Sequence, residues 1–128
     1  MDATPLADVT PQLLREIGTA FARRDVDAIV GAFAEDGEFR NARGPDYWGE
    51  SFRGKAAIRG YFTRLFSASS DVQWRHTSEL VCGNRAVTEW HRTATLADGT
   101  RQEWLGCDLY TFRRGLIVMK DTYIKVVA

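Results

Sequence analysis

Apolar residues recur at helical spacing through the first half of the chain and at strand spacing through the second. Thr10-Pro11 is an N-cap followed by proline at the first helical position. Leu13, Leu14, Ile17 and Phe21 then share one helix face. Asp25 can cap a second, short helix bearing Val26, Ile29, Val30 and Phe33, which Glu35-Asp36-Gly37 ends. Glu38 to Asn41 reads as a short extended piece. Arg43 to Glu50 reads as a loop holding Gly44, Pro45 and the exposed-looking pair Tyr47-Trp48. Ile58, Tyr61, Phe62, Leu65 and Phe66 follow the i, i+3, i+4, i+7, i+8 pattern, the strongest helix signal in the chain.

After Ser70 the period changes. Segments 72–82, 85–97, 100–113 and 116–126 are separated by Cys82-Gly83-Asn84, Ala97-Asp98-Gly99 and Arg113-Arg114-Gly115. Each separator can be a three-residue hairpin loop ending in Gly or Asn, which tolerate positive φ. Helices followed by an antiparallel meander predict an α+β fold, with three N-terminal helices packed on one face of a bent sheet.

Three-residue loops also predict a register, pairing residue 81 with 85, 96 with 100 and 112 with 116. His76 then lies beside Trp90, Trp90 beside Gly106, Thr88 beside Asp108, Asp108 beside Lys120, and Arg92 beside Trp104. All carry even numbers and share one face. A two-residue turn at Gly83-Asn84 is the alternative, and it moves His76 to the other face. The opposite face carries Val87, Leu105, Cys107, Leu109, Ile117, Met119 and Tyr123. A sheet apolar on both faces needs two covers. The helices supply one, and a second copy of the chain is the simplest choice for the other. The alternative is a solvated face with scattered apolar residues.

Composition narrows the function classes. The chain has 128 residues, with 17 Lys plus Arg against 17 Asp plus Glu. Its length predicts a single domain over 1–128, with 1–9 a flexible N-terminal segment. The balanced charge gives no footprint for nucleic acid or an anionic membrane surface. Met1 to Asp8 carries acids and no apolar stretch, so no signal peptide is expected. No apolar run approaches the roughly 20 residues of a membrane span. Cys82 and Cys107 lack CxxC spacing, which points to free thiols and a cytoplasmic location. No metal or nucleotide motif is present, so no cofactor is expected. The aromatic content is high, with four Trp, four Tyr and seven Phe, and suits a hydrophobic pocket.

Phe21-Ala22-Arg23-Arg24-Asp25-Val26-Asp27-Ala28-Ile29 with Phe33-Ala34-Glu35-Asp36 resembles the opening of the SnoaL-like polyketide cyclase group. Phe52-Arg53-Gly54-Lys55-Ala56-Ala57-Ile58 and Gly115-Leu116-Ile117 extend the resemblance, which covers residues 10–125. That group belongs to the nuclear-transport-factor-2-like superfamily, with ketosteroid isomerase, limonene epoxide hydrolase and scytalone dehydratase. The resemblance implies a cone: a strongly bent antiparallel sheet wrapped on three helices, open at one end, and usually dimeric. It also implies polyketide- or steroid-like ligands.

Position by position, the resemblance departs from its relatives. The general-base Asp of ketosteroid isomerase corresponds to Asn41, and its oxyanion-hole Tyr falls near Ile17. Its second oxyanion donor, a carboxylic acid kept protonated, matches Asp108, as does the acid/base Asp of SnoaL-type cyclases. The Asp-Arg-Asp triad of limonene epoxide hydrolase corresponds to Trp90, Arg92 and Thr122. One histidine of scytalone dehydratase matches His76.

The expected function is therefore cofactor-independent acid/base chemistry on a hydrophobic, oxygenated small molecule: isomerisation, cyclisation or dehydration. Asp108 among Trp90, Trp104 and Tyr110 could transfer the proton. Paired with Lys120 it would be a structural anchor instead. His76 could assist or be structural. Arg92 could polarise a carbonyl while stacked on Trp104, or reach out to water. Trp90 is a pocket wall or core. Tyr47 and Trp48 form a lid over the ligand or a plug. His91 falls on the outer face. The alternative function is a non-catalytic ligand-binding or dimerisation module on the same fold, which Asn41 in place of a base supports.

Overall fold

The structure, a computed structural model, describes residues 8–127. Thr10 caps α1 (Pro11–Ala22), its hydroxyl accepting the Leu13 N–H at 3.1 Å, and Leu14, Ile17, Ala20 and Phe21 turn inward. Asp25 caps α2 (Val26–Gly31) by accepting the Ala28 N–H at 3.1 Å. Phe33, expected on that helix, instead opens β1 (Phe33–Arg40). Its ring is fully buried, and Ala32 already holds the Ile117 N–H through its carbonyl. The chain continues through β2 (Ser51–Arg53), α3 (Lys55–Ala68), β3 (Gln73–Cys82), β4 (Arg85–Thr95), β5 (Arg101–Arg113) and β6 (Leu116–Ile124).

The six strands form one sheet in the order β2-β1-β6-β5-β4-β3. It is mixed, because β1 runs parallel to β6 while every other neighbouring pair is antiparallel. The meander β3–β6 matches the predicted segments. The helices cover its inner face around Phe21, Phe33, Phe39, Ile58, Phe62 and Phe112.

Two hairpins are tighter than expected. Cys82 pairs with Arg85 and Arg113 with Leu116, leaving two-residue turns at Gly83-Asn84 and Arg114-Gly115. Arg114 and Gly115 take φ of 51° and 79°, the positive values that both central residues of a I′ turn need. A bulge follows each turn, restoring the expected register in β3 and displacing it by one further residue in β6. Thr77 is skipped in β3, which returns His76 to Trp90. The two-residue turn pairs Phe112 with Ile117, which turns into the core, not outward as expected, and Val118 is then skipped in β6. Beyond this bulge Asp108 pairs with Thr122 and Tyr110 with Lys120, so Asp108 and Lys120 are diagonal neighbours, not directly opposed. The even-numbered face is preserved throughout β4 and β5: Thr88 opposes Asp108, Trp90 opposes Gly106, and Arg92 opposes Trp104.

Most of the 1–9 stretch lies outside the described residues. Its end is held in place. Val9 is buried in the core, and Asp8 accepts the backbone N–H groups of Arg114 and Gly115 through its carboxylate and carbonyl. Cys82 and Cys107 are free thiols.

Candidate functional site

The concave side of the sheet and α3 leave a cavity of about 230 Å³. Phe39, Tyr61, Phe62, Leu65, Trp74 and Trp104 give it apolar walls. Its polar groups are Asn41, Arg43, Arg92, Gln102, Lys120 and Thr122. Among the described residues no carboxylate or imidazole borders it. No cluster of three or more His, Cys, Asp or Glu there could hold a metal ion.

Beneath one wall lies a saturated polar network. Lys120 Nζ donates to Asp108 Oδ1 and to Thr122 Oγ1, each at 3.0 Å. Thr122 Oγ1 donates to the same Oδ1 at 2.6 Å. Trp90 Nε1 donates to Oδ2 at 2.9 Å, and Thr88 Oγ1 reaches it at 3.4 Å. The Asp108 and Lys120 side chains are 5% and 6% exposed. Alternation on three adjacent strands produces this convergence: 88 and 90, 108, and 120 and 122 all face inward. Two of the three ammonium N–H bonds of Lys120 are thus committed. Its Nζ sits 4.6 Å from the Phe39 ring centre and 5.2 Å from that of Phe21. Lys120 and Thr122 border the cavity, and Asp108 lies behind them.

Trp90 reaches its position because residue 106 is glycine. A Cβ there would come within 2.7 Å of the indole Cζ3 and 2.6 Å of the Tyr123 carbonyl oxygen.

Arg92 occupies a second corner. Its guanidinium lies 4.4 Å from the Trp104 ring centre and 5.8 Å from that of Trp74, and Nη1 donates to Gln102 Oε1 at 3.2 Å. Burial lowers its pKa, Tyr61 raises it, and Arg43 nearby lowers it further. Arg43 itself lies 5.0 Å from the Trp104 ring centre. The Tyr61 phenol is raised above its ordinary pKa by burial, against the pull of Arg92 and of the Asn41 hydrogen bond.

A family model for the SnoaL-like domain matches residues 14–119. The chain belongs to the SnoaL-like domain family. Among solved structures, a nuclear-transport-factor-2-like protein of unknown function from Burkholderia pseudomallei superposes with a TM-score of 0.78. It shares 20% identity, over 89% of this chain and 88% of that one. A protein provisionally named a polyketide cyclase from Xanthomonas campestris pv. campestris gives a TM-score of 0.77 at 23% identity, over 88% and 87% of the two chains. A provisionally named SnoaL-like polyketide cyclase from Jannaschia sp. CCS1 gives 0.75 at 12% identity, over 98% and 91%. At these identities the likeness shows a shared fold. No curated protein matches the chain.

In this SnoaL-like domain the expected site residues divide into groups. Asn41, Trp90, Arg92, Trp104 and Lys120 all border the cavity. Asp108 contacts it only through Lys120, Thr122 and Trp90. Tyr110 does not reach it: the ring is 1% exposed, packed against Phe112, and burial holds its phenol well above the usual tyrosine pKa. His76 stands opposite Trp90 on the inner face, yet its ring packs on Gly18 of α1 and stays open to solvent at the sheet edge. Tyr47 and Trp48 border an adjoining surface groove with Asp121, Tyr123 and Val126, which shares Asn41, Ala42, Arg43, Thr122 and Ile124 with the cavity. Tyr47 is 98% exposed, so the pair neither covers nor plugs the cavity here.

Several cavity residues escaped the sequence reading. Trp74 and Gln102 are even-numbered positions of β3 and β5, and the alternation already in use would have found them. The helical period places Tyr61 on the apolar stripe of α3, and it cannot separate a ring packed in the core from one facing a void. Arg43 lies in a loop and carries no periodic signal.

Proposed function

We propose that this SnoaL-like domain binds a hydrophobic, oxygenated small molecule in the cone and polarises one of its oxygens with Lys120. The observation that carries this reading is the buried ammonium itself. Asp108 and Thr122 hold it from behind, while Lys120 borders an aromatic cavity. A fixed cation in a water-poor site acts on a carbonyl far more strongly than one in water. Asp108 is then a positioning residue: it accepts four side-chain donors and has no free approach to a ligand.

The volume limits the ligand. An apolar cavity of about 150 Å³ takes benzene. A cavity of about 230 Å³ therefore encloses a compact one- or two-ring portion of a polyketide-like molecule. Binding is the first function. The electrophilic half of acid/base chemistry is present, but among the described residues no carboxylate or imidazole base borders the cavity.

The test uses 2-tetralone with a 13C-labelled carbonyl, titrated against the quenching of the wall tryptophans and examined by infrared difference spectroscopy. The expected result is saturable binding with the carbonyl stretch moved to lower frequency, and loss of that shift in Lys120→Met. A bound ketone with an unshifted carbonyl would sink the proposal. Accelerated exchange of the α-hydrogens in deuterated water would extend it to catalysis.

The outer sheet face supports a second copy of the chain as partner. Leu105 and Tyr123 are 54% and 52% exposed there, beside Cys107. Among the described residues no helix is long and apolar enough to cross a membrane.

A further inference from the structure

The cations of the cavity are not balanced alike. Lys120 has Asp108 within 3.0 Å. Arg92 has no carboxylate within ion-pair distance among the described residues, and neither has Arg43. Arg92 is nevertheless 6% exposed. Of its five N–H bonds, one is spent on Gln102 Oε1, and its other near neighbours are the rings of Trp74 and Trp104.

The guanidinium has a neutral acceptor and two aromatic faces: the rings attract its charge but do not use its in-plane donors. Among the described residues no side-chain nitrogen is both enclosed and without a partner, so the Arg92 donors not spent on Gln102 stay accessible. Those donors form a planar fork that matches a carboxylate with two parallel hydrogen bonds. Arg92 and Gln102 both border the cavity, so a ligand entering it meets them.

We propose that the natural ligand is a compact organic anion, an aromatic or conjugated carboxylate, whose carboxylate pairs with Arg92 while its ring system lies against Trp74 and Trp104. The assignment rests on the small-molecule reading of the cavity given above and adds the charge of the ligand. Arg43, near the same Trp104 ring, adds positive potential at this corner. Lys120 cannot play this part equally well, because Asp108 already neutralises it. The anion's charge is therefore placed at the Arg92 corner.

Three probes of similar shape test the inference by calorimetry and tryptophan quenching: 2-naphthoate, its neutral amide and 2-tetralone. Wild-type protein is expected to bind 2-naphthoate at least tenfold more tightly than 2-naphthamide. Arg92→Gln should remove that preference, bringing acid and amide to within about threefold of each other, and Arg92→Lys should retain part of it. Equal affinities for acid and amide in the wild type would overturn the inference. If 2-tetralone still bound with its shifted carbonyl, the small-molecule reading would survive that failure. An unchanged preference in folded Arg92→Gln would also overturn the assignment. Absence of binding by all three probes would overturn both readings. The wild-type comparison needs no variant, so a variant that failed to fold would still leave the inference decided.

Discussion

Replacing Asp108 by Asn tests the buried network most directly. The substitution keeps the shape and one acceptor, so Trp90 Nε1 can still be satisfied. It removes the only carboxylate among the described residues paired with an ammonium that is 6% exposed. Breaking one side of a buried ion pair costs about 3–5 kcal/mol, because the remaining charge is stranded. With an unfolding entropy of about 2.1 cal/mol/K per residue, a chain of 128 residues loses about 10–20 °C in Tm. That is a large share of a typical stability of about 5–15 kcal/mol. The assay is urea and thermal unfolding of Asp108→Asn, Lys120→Met and the double variant. Removing both charges eliminates the stranded ammonium, so the double variant should be more stable than Asp108→Asn alone, with a coupling of about 2 kcal/mol. An Asn variant melting within about 3 °C of wild type would refute the reasoning. So would strict additivity in the double variant.

Three further outcomes are expected. His76 keeps one side in solvent, and desolvation of the side packed against α1 is the first cause lowering its pKa, joined by Lys120 and opposed by Asp108 and Glu79. The unfolded chain then binds the proton more readily, so stability falls as pH drops from about 6.5 and levels off below the folded pKa. Melting curves between pH 7.5 and 5 should show this slope, and His76→Gln should flatten it. Gly106→Ala forces a methyl against Trp90 and the Tyr123 carbonyl, costing about 1–3 kcal/mol in denaturant unfolding. An unchanged Trp90 environment and stability would contradict the close approach. The wild-type protein should sediment as a dimer at tens of micromolar and Leu105→Glu as a folded monomer; a monomeric wild type removes the outer-face argument.

Much of this molecule is legible in its periodicities. The i, i+3, i+4 stripe from Ile58 to Phe66 marks α3, and Thr10-Pro11 marks the start of α1. Strand alternation has period two, so placing Trp90, Arg92, Trp104 and Asp108 on one face needs only the parity of their numbers. Even the misjudged loop lengths left His76 opposite Trp90, because the bulge at Thr77 restored the pairing that the shorter turn had shifted. The two-residue turn that turns Ile117 inward and the bulge that, together with it, moves Lys120 from Asp108 to Tyr110 carry no strong sequence mark.

The sequence by itself thus determined the three helices, the meander and the inward face of β4 and β5, because these depend on local period and turn chemistry. The parallel pairing of β1 with β6 was decided only by tertiary closure, since paired residues such as Phe33 and Ile117 lie far apart in sequence. Closure also decided which inward residues meet a void. Lys120, Thr122 and Arg92 border the cavity while Asp108 and Tyr110 do not, although all five face inward. Parity assigns a side chain to a face. What stands in front of it depends on sheet curvature and on helices packed from distant parts of the chain.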